Sequence, residues 1–103
     1  MTDLPPVDKD EGILLFLRML RERATDWQVR DHWTGDLTAI GVASTRDPEL
    51  LAYVSSWEQP DKYYYLELEQ HAGSDAYETT QRIEKCALVD AVEMVAEHLH
   101  RDQ

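Results

Sequence analysis

The 103-residue chain has a single cysteine, Cys86, and only four glycines. One cysteine excludes an internal disulfide and a zinc site built from several cysteines, so a reducing compartment is the simpler expectation. Gly35, Gly41 and Gly73 are isolated, and Gly12 falls at a predicted helix start. Because no glycine-rich phosphate-binding loop is present, the sequence does not support nucleotide binding. We predict no cofactor.

Long apolar runs are also missing. No stretch approaches the ~20 apolar residues that a membrane-spanning helix needs. The N-terminal residues Met1 to Pro6 lack the positive start and the apolar run of a signal peptide. We therefore expect a cytoplasmic protein with no membrane partner.

Basic residues are scarce. Ten Lys and Arg stand against 21 Asp and Glu, which gives a formal net charge of −11. This balance disfavours binding to nucleic acid or anionic lipid, which select basic surfaces, and favours a basic protein partner. An acidic surface also keeps a small domain soluble, so charge alone does not distinguish a binding surface from a solvated one.

The apolar residues that are present follow regular periods, which predicts one folded domain over residues 10–103 behind a flexible arm at residues 1–9. Helical spacing predicts a first helix from about Asp10 to Ala24, with Asp8 or Asp10 as its cap. A second helical stripe predicts a closing helix from about Ala87 to Arg101.

Between these helices the period changes to two, which predicts strands. The predicted strands cover residues 27–33, 37–44, 50–57, 62–70 and 77–83, the last at a sheet edge. Parallel neighbours would need crossover helices, and the sequence has none between these strands. The predicted fold class is therefore α+β: a single antiparallel four- to five-stranded meander with both helices packed on one face.

The fourth strand carries two different faces. Alternation places Tyr64, Leu66 and Leu68 on the core side. The opposite side and its adjoining turn supply the predicted partner-binding residues: Tyr63, Tyr65, Glu67, Glu69 and Asp61. Tyrosines offer contact area and glutamates attract a basic partner. The alternative is that cross-strand tyrosines shield the sheet backbone.

Candidate catalytic residues are few, and none carries a recognisable signature. Cys86 has no nucleophile motif around it and fits a small buried thiol at a strand–helix junction. Glu67 and Glu69 would lie ~7 Å apart on an extended strand, which suits acid–base pairs but is commoner on solvated faces. We therefore predict no catalytic residue.

The histidines and tryptophans also favour structural roles. His98 and His100 are two residues apart on a helix and do not share an ion easily, whereas His32 and His71 could meet only through the fold. We expect surface histidines and no metal. The tryptophans are expected in the core or flanking the sheet: Trp27, Trp33 and Trp57.

Five segments together resemble a known family: Trp27–Arg30, Thr38–Val42, Leu51–Glu58, Tyr64–Glu67 and Leu88–Val92. They are similar to the small acidic immunity proteins encoded beside bacterial polymorphic toxins, most of all to the TriTu immunity proteins. The similarity spans about residues 10–100. It implies a non-enzymatic inhibitor that binds one cognate toxin and occludes its active site or substrate surface, and it supplies no fixed set of binding residues.

Two other classes of function remain open. A small structural or adaptor domain could form a homodimer through the same tyrosine side of the sheet. A small hydrolase or isomerase would have to use Glu67, Glu69, His32 or Cys86, and no spacing of a base and a nucleophile supports it.

Overall fold

The computed structural model describes residues 9–31, 37–47, 49–71 and 77–100. Its elements, in chain order, are α1 (Glu11–Arg23), β1 (Trp27–Asp31), β2 (Ala39–Ser44), β3 (Leu50–Ser55), β4 (Tyr63–His71), β5 (Tyr77–Ala87) and α2 (Leu88–Leu99). This is the predicted order of one helix, five strands and a second helix. Of the predicted arm, residues 1–8 lie outside the described residues, and Lys9 is buried.

The five strands form one antiparallel sheet in the order β1-β2-β3-β4-β5. The predicted meander is therefore confirmed, and so is the edge position of the last strand. β5 continues four residues beyond its predicted end, because Cys86 and Ala87 pair with Tyr64 and Tyr63. Pairing with β4 thus outweighs the helix propensity of the sequence from Glu84 to Ala87, and α2 begins only at Leu88.

Both edge strands contain extra residues. In β1, Arg30 is the extra residue. In β5, Thr80 is an extra residue opposite Leu68 and Glu69. Glu84 and Lys85 lie between the residues that pair with Leu66 and Tyr64. Bulges of this kind twist an edge and disfavour pairing with another chain. The faces of this sheet are therefore better suited to binding than its edges.

Both helices pack on one face of the sheet. The shared core includes Ile13, Phe16, Leu17 and Leu20 of α1, Val92, Val95 and Leu99 of α2, and Ile40, Val42, Val54, Tyr64 and Leu66 of the strands. Across the two helices, Arg23 Nε lies 2.8 Å from Glu93 Oε2. Neither helix that the structure describes combines the length and hydrophobicity needed to cross a membrane.

Asp10 is the N-cap of α1, whereas Asp8 lies outside the described residues. Asp10 Oδ1 accepts a hydrogen bond of 2.9 Å from the backbone N–H of Ile13. Its other oxygen accepts one of 3.0 Å from the hydroxyl of Ser56, just after β3. One aspartate therefore satisfies the helix start and ties it to the sheet.

The predictions for the tryptophans and histidines are only partly confirmed. Trp27 is buried, but Trp57 is exposed, because β3 ends at Ser55 and leaves Trp57 in the following turn. His98 is buried, not on the surface, because it lies on the same helical stripe as Val95. Trp33, His32 and the side chain of His71 lie outside the described residues.

Candidate protein-binding surface

The two sides of β4 differ as the alternation predicted. Tyr64, Leu66 and Leu68 are buried beneath the helices. Tyr63 is exposed on the opposite side, and Tyr65, Glu67 and Glu69 there are partly buried. Alternate residues of β4 therefore face the helices and the opposite side of the sheet, as predicted.

Neighbouring strands extend this second side of the sheet. Tyr53 of β3 lies opposite Glu67 in the register, and Ser55 lies opposite Tyr65. The Tyr53 and Tyr65 rings meet edge to face, with centroids 6.2 Å apart and planes at 75°. Edge-to-face contacts are favourable between aromatic rings, so the pair forms a preordered aromatic cluster.

We call this surface the tyrosine face. It comprises Tyr53, Tyr63, Tyr65, Glu67, Glu69, Arg82 and Lys85. Sequence reasoning missed Tyr53, although the period-two pattern of β3 already separates it from the core residues Ala52 and Val54.

Glu67 and the two bases of the tyrosine face have local partners. The Tyr65 hydroxyl donates a hydrogen bond to Glu67 Oε2, and Arg82 Nε lies 3.4 Å from the same oxygen. Lys85 Nζ lies 5.2 Å from the centre of the Tyr63 ring. Burial, followed by the hydrogen bond to Glu67, raises the pKa of the Tyr65 hydroxyl. The tyrosine face is therefore charge-balanced, and Glu67 is used within the fold.

Asp61 lies in the turn between β3 and β4, where it lines a small cavity together with Asp10, Gly12 and Tyr64. Its side chain is exposed, and two neighbours in the same turn, Glu58 and Lys62, have positive φ angles of 56° and 65°. A hydrogen bond of 3.0 Å from Gln59 Nε2 to the carbonyl oxygen of Glu84 connects this turn to β5. Asp61 is thus held on an ordered turn.

Of the residues weighed for catalysis, the structure describes Glu67, Glu69 and Cys86. Cys86 is buried, and burial, followed by the charge of Asp90, raises the pKa of its thiol. A protonated thiol is a poor nucleophile. His98 Nε2 donates a hydrogen bond of 3.0 Å to the carbonyl oxygen of Glu69 and so supports the fold. Residues 9–31, 37–47, 49–71 and 77–100 contain no group of three metal-binding side chains.

Comparisons of the chain with protein-family models, curated proteins and solved structures found no match. The resemblance to immunity proteins therefore stays a prediction.

Proposed function

We propose that this protein is a non-enzymatic immunity protein that binds one cognate bacterial toxin domain in the cytoplasm and occludes its active site or substrate surface. The observation that carries the proposal is the tyrosine face, a preordered aromatic cluster on the side of the sheet opposite both described helices. Large aromatic side chains dominate binding energy at protein interfaces, where they lose little conformational entropy.

The bulges of the edge strands also favour binding through a face of the sheet. Because bulges interrupt both β1 and β5, a partner strand would not pair easily along either edge. A partner that docks on a face does not need regular edge hydrogen bonds. The proposed contact is therefore made by side chains, in which tyrosine rings supply area and their hydroxyl groups supply hydrogen bonds.

Net charge would assist the encounter. The chain carries −11, so a toxin domain with a basic surface would be attracted before contact, and complementary fields raise association rates by orders of magnitude at low salt. Glu67 contributes little to this attraction because Arg82 partly neutralises it. The steering comes from the acids elsewhere on the surface.

Capture of the partner tests the proposal. A tagged chain is produced together with the products of its neighbouring genes and washed at high salt, and the retained proteins are identified by mass spectrometry. We expect a toxin domain in a one-to-one ratio, and Glu22→Ala on the exposed side of α1 is the control that retains it. A chain that retains no toxin domain contradicts the proposal.

The charge balance of the tyrosine face favours a second candidate, a homodimeric adaptor. A surface with both acids and bases can pair with a second copy of itself across a twofold axis. Sedimentation at micromolar concentration separates the two functions, since the adaptor is a dimer alone and the immunity protein is a monomer until its toxin is added.

A further inference from the structure

All four large apolar side chains that are exposed in the described residues lie at one end of the sheet. Their exposed fractions are 44% for Leu37, 64% for Trp57, 36% for Tyr63 and 62% for Val89. They come from four separate segments of the chain. Single exposed apolar residues are ordinary, but a concentration of them at one end marks a candidate contact surface.

The sheet register and two backbone hydrogen bonds bring these segments together. The N–H of Ser56 donates a hydrogen bond of 2.8 Å to the carbonyl oxygen of Thr38. This bond places the turn of Trp57 beside the segment of Leu37. The N–H of Leu88 donates a hydrogen bond of 3.0 Å to the carbonyl oxygen of Lys62. This bond places the start of α2 beside Tyr63. We call the set Leu37, Trp57, Tyr63 and Val89 the apolar end.

Trp57 is exposed on a turn that is itself well ordered. Its backbone N–H donates a hydrogen bond of 3.1 Å to the hydroxyl of Ser55. The N–H of Gln59 donates one of 3.1 Å to the carbonyl oxygen of Ser56. Glu58 next to it adopts a positive φ, which is unfavourable for a residue with a side chain. Neither an exposed indole nor a strained backbone helps folding, whereas a preordered aromatic residue lowers the entropic cost of binding.

Acidic side chains predominate around the apolar end. The segments that form it or adjoin it through backbone contacts carry five exposed acids, Glu11, Glu58, Asp61, Glu84 and Asp90, against two exposed lysines, Lys62 and Lys85. This excess contrasts with the balanced charge of the tyrosine face. An apolar centre within an acidic rim complements a partner surface that has an apolar recess ringed by Lys and Arg.

We propose that the apolar end is a docking surface for a basic protein partner, with Trp57 as its central contact. This inference rests on the proposed function, so the partner is the toxin domain. Tyr63 belongs to both surfaces, and the contact therefore runs from the tyrosine face over the end of the sheet. Asp61 then acts as a rim residue that attracts the partner.

The test measures binding of the toxin domain retained by the wild-type chain. Trp57→Ala is expected to weaken binding at least about thirtyfold, the loss typical of a central aromatic contact. Glu84→Gln and Asp61→Asn are expected to slow association severalfold and to flatten its salt dependence. Glu22→Ala, at an exposed position toward the other end of α1, is the matched control and is expected to change neither quantity.

Hydrogen exchange of the wild-type chain supplies a second measurement that does not depend on the folding of a variant. Amides of residues 56–62 are expected to gain protection when the toxin domain binds. If the toxin domain binds the wild-type chain and Trp57→Ala equally and residues 56–62 gain no protection, the docking surface is wrong and the proposed function stands. If the wild-type chain retains no toxin domain, both are overturned.

Discussion

The hydroxyl of Tyr64 donates a hydrogen bond of 2.6 Å to the carbonyl oxygen of Gly12, and this bond joins the start of β4 to the first turn of α1. Tyr64 is fully buried, and its ring centroid lies 5.7 Å from that of Phe16. Burial, followed by the charges of Asp10 and Asp61, raises its pKa to about 12. The contact is therefore both a packing element and a source of pH dependence.

Tyr64→Phe is expected to lower the free energy of unfolding by about 1 kcal/mol at neutral pH, since a buried hydrogen bond is lost. It is also expected to flatten the loss of stability at high pH. Above the usual tyrosine pKa of 10.0 the unfolded chain releases this proton, whereas the folded chain keeps it until about pH 12. Stability therefore falls as pH rises through this window, by up to about 2–3 kcal/mol.

Urea denaturation at pH 7, 10 and 11 checks this prediction, with Tyr63→Phe as the control because that hydroxyl is not part of the contact. Identical pH slopes for the Tyr64→Phe variant and the wild type would mean that Tyr64 is not the group responsible.

Removal of the Asp10 side chain is expected to destabilise the protein by about 1–2 kcal/mol, because a helix cap is lost. Asp10→Asn is the matched variant, since its amide oxygen still accepts the hydrogen bond from Ile13. Asp10→Asn is expected to lower the free energy of unfolding less than Asp10→Ala does. Thermal denaturation ranks the two, and a double-mutant cycle with Ser56→Ala isolates the bond between Asp10 and Ser56. Equal losses from Asn and Ala would rule out the capping role.

The double substitution of Tyr63 and Tyr65 by alanine is expected to weaken toxin binding by a few kcal/mol, as central aromatic residues do. Tyr65→Phe is expected to keep most of the affinity, because the ring contact with Tyr53 remains while the hydrogen bond to Glu67 is lost. Calorimetric titration measures both, and circular dichroism verifies the fold. Full affinity in a folded double variant would remove the tyrosine face from the interface.

Cys86 is expected to react slowly with thiol reagents at pH 8 while the protein is folded, and rapidly in urea. Its burial limits access, and the raised pKa keeps the thiol protonated. Cys86→Ser is expected to fold and to bind the partner as the wild type does. Rapid stoichiometric modification of the folded protein would contradict the structural role.

The sequence predicted the regular parts of the fold because burial imposes a period. The stripe of Ile13, Leu17 and Leu20 and the alternation around Tyr64 and Leu66 both follow from one-sided contact with a core. The end of β5 was misplaced, since pairing with β4 decides it and local propensity does not.

The candidate surface was predicted only in part. The exposure of Trp57 depends on where β3 ends, and the neutralisation of Glu67 depends on Arg82, which is fifteen residues away in the chain. His98 was expected on the surface, but it lies on the buried stripe of α2, and its partner, the Glu69 carbonyl oxygen, belongs to β4. Contacts between distant segments therefore explain the roles of Glu67 and His98, whereas a strand boundary explains the exposure of Trp57.

Growth protection tests the proposed function most directly. The toxin domain captured with this chain is produced in bacteria under an inducible promoter, together with either the wild-type chain or the variant carrying Tyr63→Ala, Tyr65→Ala and Trp57→Ala. We expect growth with the wild-type chain and arrest with the folded triple variant. Arrest with the wild-type chain at matched expression would contradict the proposed function.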